Sequence, residues 1–199
     1  MNSPADSQFP LHELIRDRWS PVAFDDRPIS REMLGSLLEA ARWAPSSYNE
    51  QPWRYIVAVR DDAAEFSKLM SCLAEANAVW AKNASVLILA VASLKFSRNG
   101  KPNRHAQHDV GLANENLVLQ AAALGLAGHQ MAGFDPDKCR ALYKIPDNFE
   151  PLTMIAVGYH ATGAGVDESL RRREESPRSR RPLSEIHFEG IWGGVTPKL

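Results

Sequence analysis

Cysteine is nearly missing from this chain: Cys72 and Cys139 are the only two in 199 residues. Two thiols make a poor disulfide framework, which points to a reducing, cytoplasmic setting. Long hydrophobic runs are missing as well. The strongest, Val86 to Ala92, falls far short of the roughly 20 residues that a membrane-spanning helix needs. No charge of one sign dominates. The formal net charge is -1 and the pI about 6.6, so there is no general attraction to nucleic acid or an anionic lipid surface. Met1 to Pro10 is polar and has no signal-peptide apolar core. The Asn83-Ala84-Ser85 sequon therefore carries no weight. Neither G-x-G-x-x-G nor G-x-x-x-x-G-K-[ST] occurs, so the standard dinucleotide and P-loop cradles are excluded. Without a G-x-S-x-G elbow, acyl transfer on a hydrolase fold has no support either.

What is present suffices for one well-filled domain. Hydrophobic residues make up 44% and charged residues 24%. Leu11 to Asp17 reads as a short helix, followed by a loop to Ile29. Ser30 is a good N-cap for a helix carrying Met33, Leu34, Leu37, Leu38 and Ala41, which must stop before Pro45. Trp53 to Arg60 reads as a strand, and Asp61 as the cap of a helix running through Leu73 or beyond. Ser85 to Ala92 suits a strand covered on both faces, and Lys95 to Arg104 an exposed loop. Ala106 to Leu124 reads as a long buried helix stopped by Gly125. Ala127 to Phe134 is a short strand and turn, Asp135-Pro136 opens another helix, and Pro151 to Tyr159 is the last clear strand. Beyond Gly163 come RRREESPRSRR, from Arg171 to Arg181, and an apolar tail to Trp192. The alternation predicts an α+β or α/β layered domain followed by an arm that docks on its own body or on a partner.

Most local clusters support only ordinary roles. His105, His108 and Asp109 form an incomplete metal set and read better as a polar helix start. Cys72 reads as a small core residue. Lys138 and Arg140 flank Cys139 and would lower its pKa, but no CxxC or fixed His accompanies it. The arginine run suits a phosphate or a solvated loop, and Glu174 and Glu175 within it argue against nucleic acid.

The segment APSSYNEQPWRY, Ala44 to Tyr55, is different. A plain turn needs no Gln followed by two aromatics. It presents several hydrogen-bonding groups beside a large flat surface. Upstream, Arg18 and Ser20 place a cation and a hydroxyl two residues apart, as a phosphate would require.

In that order and spacing, Arg18, Ser20 and Phe24, followed by Ala44, Pro45, Ser46, Asn49, Gln51, Pro52 and Trp53, resemble the FMN-dependent nitroreductase family. The likeness extends at lower specificity over nearly the whole chain. It includes Asn77, a long helix from Asp109 to Gly125, the strand and turn Gly128 to Phe134, and a basic element from Arg178 to Leu183. The resemblance implies an α+β fold, a three-layer α/β/α sandwich around a mainly antiparallel sheet, with an FMN-binding domain over residues 1–163 and a C-terminal arm over 164–199. It implies a homodimer with FMN at the interface, the arm wrapping the partner. NADH or NADPH would be the electron donor, and nitroaromatics, quinones or similar acceptors would be reduced in a ping-pong cycle. Arg18, Ser20, Arg178 and Arg180 would hold the phosphate, and Asn77, Asn49 and Gln51 the ring edge. The turn Gln130, Met131, Ala132 and Gly133 would face the reactive nitrogen, with Trp19, Val22, Ser46 and Ser47 also at the cofactor. No catalytic side chain or metal is implied, because the flavin carries the chemistry.

Two positions depart from the family pattern. Val22 and Trp80 stand where many members carry cations beside the flavin pyrimidine. Their loss would lower the flavin potential or pass the task to Arg54 or Arg27. A reductive dehalogenase-like enzyme, a flavin-modifying enzyme on the same fold and a flavin-binding protein without turnover stay open beside the reductase.

Overall fold

The computed structural model describes residues 4–163 and 166–194. In chain order its elements are α1 (Glu13–Asp17), α2 (Arg31–Arg42), β1 (Trp53–Val59), α3 (Ala63–Met70), α4 (Glu75–Ala81), β2 (Val86–Ser93), α5 (Ala106–Ala123), β3 (Ala127–Met131), α6 (Pro136–Tyr143), β4 (Phe149–Gly158) and α7 (Glu168–Glu174). The four strands form one sheet, ordered β1-β2-β4-β3, in which every neighbouring pair is antiparallel. The fold is α+β.

Strand β2 explains the layering. Its residues Val86 to Ala92 are all buried, so both faces of the sheet must be covered. On one face lie α2 and α5, packed through Leu37, Ala41, Val110, Leu117 and Ala121. On the other face Phe66, Leu69, Trp80, Cys139 and Met154 form a second core. β4 begins at Phe149, two residues before the expected Pro151. Pro151 has no N–H for the ladder, and the register slips opposite it, between Ala90 and Val91.

Ser30 caps α2 as predicted, its Oγ accepting the Met33 N–H at 3.1 Å. At the next helix Asp62 rather than Asp61 is the cap. The expected single helix through Leu73 divides into α3 and α4. Leu73 bridges to Phe134, and the Ala74 N–H donates to the Gly133 carbonyl at 3.0 Å. Those two contacts pull the chain out of helix and start α4, which carries Asn77, from a fixed point.

Both cysteines are buried. Burial, together with neighbouring Cys72, pushes the Cys139 thiol up rather than down. Lys138 does not reverse this, its Nζ being hydrogen-bonded to the Ser71 carbonyl. No helix among the described residues is long and apolar enough to cross a membrane.

The arm begins with structure of its own. α7 packs Leu170 against the second core, whereas Ile186, Ile191 and Trp192 farther along are exposed. Residues 164–165 and 195–199 of the expected arm lie outside the described residues.

Candidate functional site

The residues singled out from the sequence gather in three places. The first is the loop after α1. Arg18 Nη1 lies 3.4 Å from Ser20 Oγ. Arg178 reaches back to donate to the Arg16 and Arg18 carbonyls at 3.0 and 2.9 Å. Burial, then the neighbouring cations Arg18 and Arg180, hold the Arg178 guanidinium below its usual pKa. Arg178 is thus tied to the backbone of the Arg18 loop, while exposed Arg180 donates to the Ser179 carbonyl at 2.8 Å and adds a nearby positive charge. Arg18 has Glu115 at 3.8 Å, a loose pairing, and Asp17 lies close enough to act on Arg178 as a counter-charge. A cavity of about 300 Å³ opens here, lined by Arg18, Trp19, Val118, Gly128 and His160. Trp19 forms one wall, edge-on to the His160 ring at 5.0 Å.

The second place is the segment before β1. Tyr48, Asn49 and Gln51 all have positive φ, between 51° and 55°. Left-handed backbone at three nearby non-glycine residues costs about 1–2 kcal/mol each and must be held from outside. Ser46 Oγ accepts the Gln51 N–H at 3.0 Å. The buried carboxylate of Asp109, on α5, accepts the Ser47 N–H at 2.9 Å. Tyr48 is exposed and carries the Arg98 guanidinium over its ring at 4.0 Å.

The third place joins α4 to the end of β3. Asn77 Nδ2 donates to the Gly133 carbonyl at 3.0 Å. A Cβ on Gly133 would sit 2.6 Å from that nitrogen, so only glycine leaves the space. The Met131 carbonyl accepts from Thr153 Oγ1 at 2.8 Å, which anchors the turn. Gln130 and Ala132 face solvent on either side of buried Met131.

Val22 and Trp80 are core residues. Val22 is buried, and its N–H donates to Glu174 at 2.7 Å. Trp80 is fully buried between Phe24 and His129, at ring separations of 6.1 and 4.6 Å. Of the two stand-in cations, Arg27 is paired with Asp25 at 2.7 Å and lies over Tyr159. Arg54 stays with the second cluster, donating to the Gln51 carbonyl at 3.0 Å.

Sequence reasoning missed three supporting residues. Glu174, in the arginine run, accepts the N–H groups of Val22 and Ala23 and pairs with His160 at 2.9 Å. His129 lies 2.8 Å from the Pro21 carbonyl. Asp109, read from the sequence as part of a polar helix start, accepts the Ser47 N–H. No group of His, Cys, Asp and Glu among the described residues is placed to hold a metal ion. Only Glu174 left a signal, as an acid inside a basic run.

The arrangement offers cations beside a hydroxyl, a strained polar segment and a glycine turn against an amide, groups whose chemistry fits the phosphate and ring-edge needs of a flavin mononucleotide. Comparison with known proteins agrees. The nitroreductase family model matches residues 15–159. Protein DrgA of Synechocystis is 30% identical over 202 residues, covering 87% of this chain and 93% of that protein. A Thermus thermophilus protein named NADH dehydrogenase is 28% identical, over 80% of this chain and 85% of its own. A crystal structure described as an oxidoreductase containing FMN superposes with a TM-score of 0.88 at 36% identity, covering 95% of this chain and 96% of the other. With the family model spanning most of its length, this chain belongs to the nitroreductase family.

Proposed function

We propose that the protein is an FMN-dependent oxidoreductase that takes electrons from NADH or NADPH and reduces electron-poor acceptors of the nitroaromatic or quinone type. The observation that carries this reading is the docking of Arg178 on the Arg18 carbonyl, which brings a second guanidinium to the loop where Arg18 stands beside the Ser20 hydroxyl. Two guanidiniums at one loop beside a hydroxyl offer the charge-assisted donors that a phosphate dianion takes. When bound, FMN supplies hydride transfer in two half-reactions, one from the nicotinamide and one to the acceptor.

The chain's own residues bind, orient and shield. Arg18, Arg178 and Ser20 would fix the phosphate end. Asn77 and the Gly133 turn would meet the ring, Gly133 keeping the backbone close enough for an N–H to reach it. Trp19 would cover one side of the entrance.

Ser46 to Gln51 form a separate cluster, and a second copy of the chain would bring them to the ring. Asp109 and Glu115, which touch the second and first clusters, lie six residues apart on α5 and so point about 120° apart around the helix. The exposed Trp43, Tyr48, Ile191 and Trp192 favour such a partner. We therefore read the working form as a cytoplasmic homodimer, with residues 1–163 as the flavin domain and the exposed part of 164–199 packed on the other subunit.

The test is the visible spectrum of the purified protein, repeated after anaerobic addition of NADH or NADPH. A flavin spectrum that bleaches, and recovers on adding a quinone, is the expected result. A flavin spectrum that stays unbleached with both nicotinamides would leave a binding protein without this turnover. A colourless protein that takes up no added FMN would overturn the reading.

A further inference from the structure

His129 stands on β3, one of the two edge strands of the sheet, where the chain after α1 crosses from one face to the other. Arg18 and Trp19 lie beside Val118 and Gly128 on the α5 side, while Val22 and Phe24 enter the opposite core. Between them, at the crossing, is Pro21.

Four tethers fix this crossing. The Arg18 carbonyl is held by Arg178. The N–H groups of Val22 and Ala23 are held by Glu174. The Pro21 carbonyl is held by His129 Nδ1 at 2.8 Å. A carbonyl only accepts, so Nδ1 carries the proton. Burial lowers the pKa of His129, with Arg173 and Arg18 adding to the effect against the Pro21 bond, so the ring is neutral at pH 7 and the proton resides on Nδ1. The other side of the ring rests on fully buried Trp80 at 4.6 Å, which leaves the imidazole little freedom to turn.

The proline makes this contact count. Its ring already fixes φ, so pinning the carbonyl fixes ψ and with it the path from Ser20 to Val22. Arg18 and Ser20 are the next polar residues upstream. A cradle already shaped for an anion loses less entropy on binding than one that must be ordered.

We propose that His129 is a positioning residue for the phosphate end of the flavin: by holding the Pro21 carbonyl it keeps Arg18 and Ser20 in a preformed anion cradle. The proposal rests on the flavin reading above and names a residue within it. His129 touches no phosphate itself. It acts through Pro21, so its effect belongs to ligands that carry the phosphate.

The experiment compares FMN with riboflavin, which lacks the phosphate, by fluorescence quenching on the apoprotein. Wild type should bind FMN more tightly. His129→Leu should lower the FMN-to-riboflavin affinity ratio about tenfold, with riboflavin affinity changed less than about twofold. His129→Asn places an amide N–H near the lost Nδ1–H and should restore the ratio to within about threefold of wild type. Equal losses for both ligands in His129→Leu, or no loss for either, would overturn the proposal. If His129→Leu fails to fold, nitrogen NMR of wild-type His129 decides. A proton on Nδ1 supports the proposal, and a neutral ring protonated on Nε2 overturns it. A wild type that binds neither ligand would instead defeat the flavin reading itself.

Discussion

Oε1 of Glu174 accepts the backbone N–H of Val22 at 2.7 Å, across 152 residues of sequence. The same oxygen takes the Ala23 N–H at 2.8 Å, while Oε2 meets His160 Nε2 at 2.9 Å. One carboxylate therefore ties α7 to the loop that carries Arg18 and Ser20. Burial opposes its charge, but His160 and the two N–H groups outweigh burial and hold the pKa below its ordinary 4.5. A folded pKa below the unfolded one means that this stabilisation is present above about pH 4.5 and fades as pH falls through the folded value. Glu174→Gln should destabilise the protein by about 1–3 kcal/mol near neutral pH, with the gap to wild type closing as the pH falls below about 4.5. Urea midpoints measured across that range check this, and a gap that is constant with pH would assign the stability to packing instead.

Arg18→Ala should separate binding from folding. Arg18 is only partly buried and its partner Glu115 is half-exposed at 3.8 Å, so its ion pair contributes little to the fold. A charge-assisted contact to phosphate contributes about 1.5–3 kcal/mol. FMN affinity should fall roughly 10- to 100-fold, with Tm within a few degrees of wild type. Flavin occupancy after purification, read against a melting curve, gives both quantities. Full occupancy in the mutant would remove Arg18 from the phosphate site.

The fold was legible wherever burial wrote a simple pattern. The run Val86 to Ala92 announced a strand covered on both faces, and the Ser30 cap with its periodic leucines announced α2. The break between α3 and α4 was not legible, because the Leu73–Phe134 bridge that causes it joins residues 61 positions apart. The site follows the same division. Arg18, Ser20, Asn49 and Gln51 stand in motifs whose spacing is local. His129 and Glu174 act by holding backbone atoms of the loop after α1, and no local pattern records which carbonyl a distant imidazole will meet. Asp109 stands at the polar start of α5 as expected, but its partner was not legible for the same reason. Its place beside His108 marks a polar helix start, and only the folded chain shows the Ser47 N–H 2.9 Å from its carboxylate.

Asp109→Ala should weaken that hold. The Ser47 N–H would lose its acceptor beside three left-handed residues. The expected loss is about 1–3 kcal/mol of stability, along with greater mobility of residues 46–51. Hydrogen exchange of the segment in the mutant and in wild type measures the second effect. Unchanged protection would mean that Ser46 and the Arg98–Tyr48 contact hold the segment without Asp109.

Gly133→Ala tests the third cluster sterically. The new methyl would meet Asn77 Nδ2 at 2.6 Å, well inside contact distance, and must expel the amide from its bond to the Gly133 carbonyl. Overpacking of this kind costs about 1–3 kcal/mol. If Asn77 serves the ring edge, affinity for FMN and riboflavin should fall together, because the phosphate cradle is untouched. Selective loss of FMN alone would place Asn77 with the phosphate instead.

Trp80 and Arg54 bear on where a cation can act on the flavin. Trp80 is fully buried between two aromatic rings. A lysine there would have to bury its ammonium or lose its proton, at several kcal/mol against a total stability of about 5–15. Trp80→Lys should therefore lower Tm by roughly 10 °C or more and should not raise the flavin potential. Arg54 is already anchored on the Gln51 carbonyl, whereas Arg27 is committed to Asp25. Arg54→Met should lower the midpoint potential of bound flavin, because a fixed positive charge near the ring favours the anionic reduced form. Arg27→Met should leave it in place. Spectroelectrochemical titration of wild type and the three variants decides the matter. A stable Trp80→Lys protein with a raised potential would show that position 80 faces the flavin rather than the core.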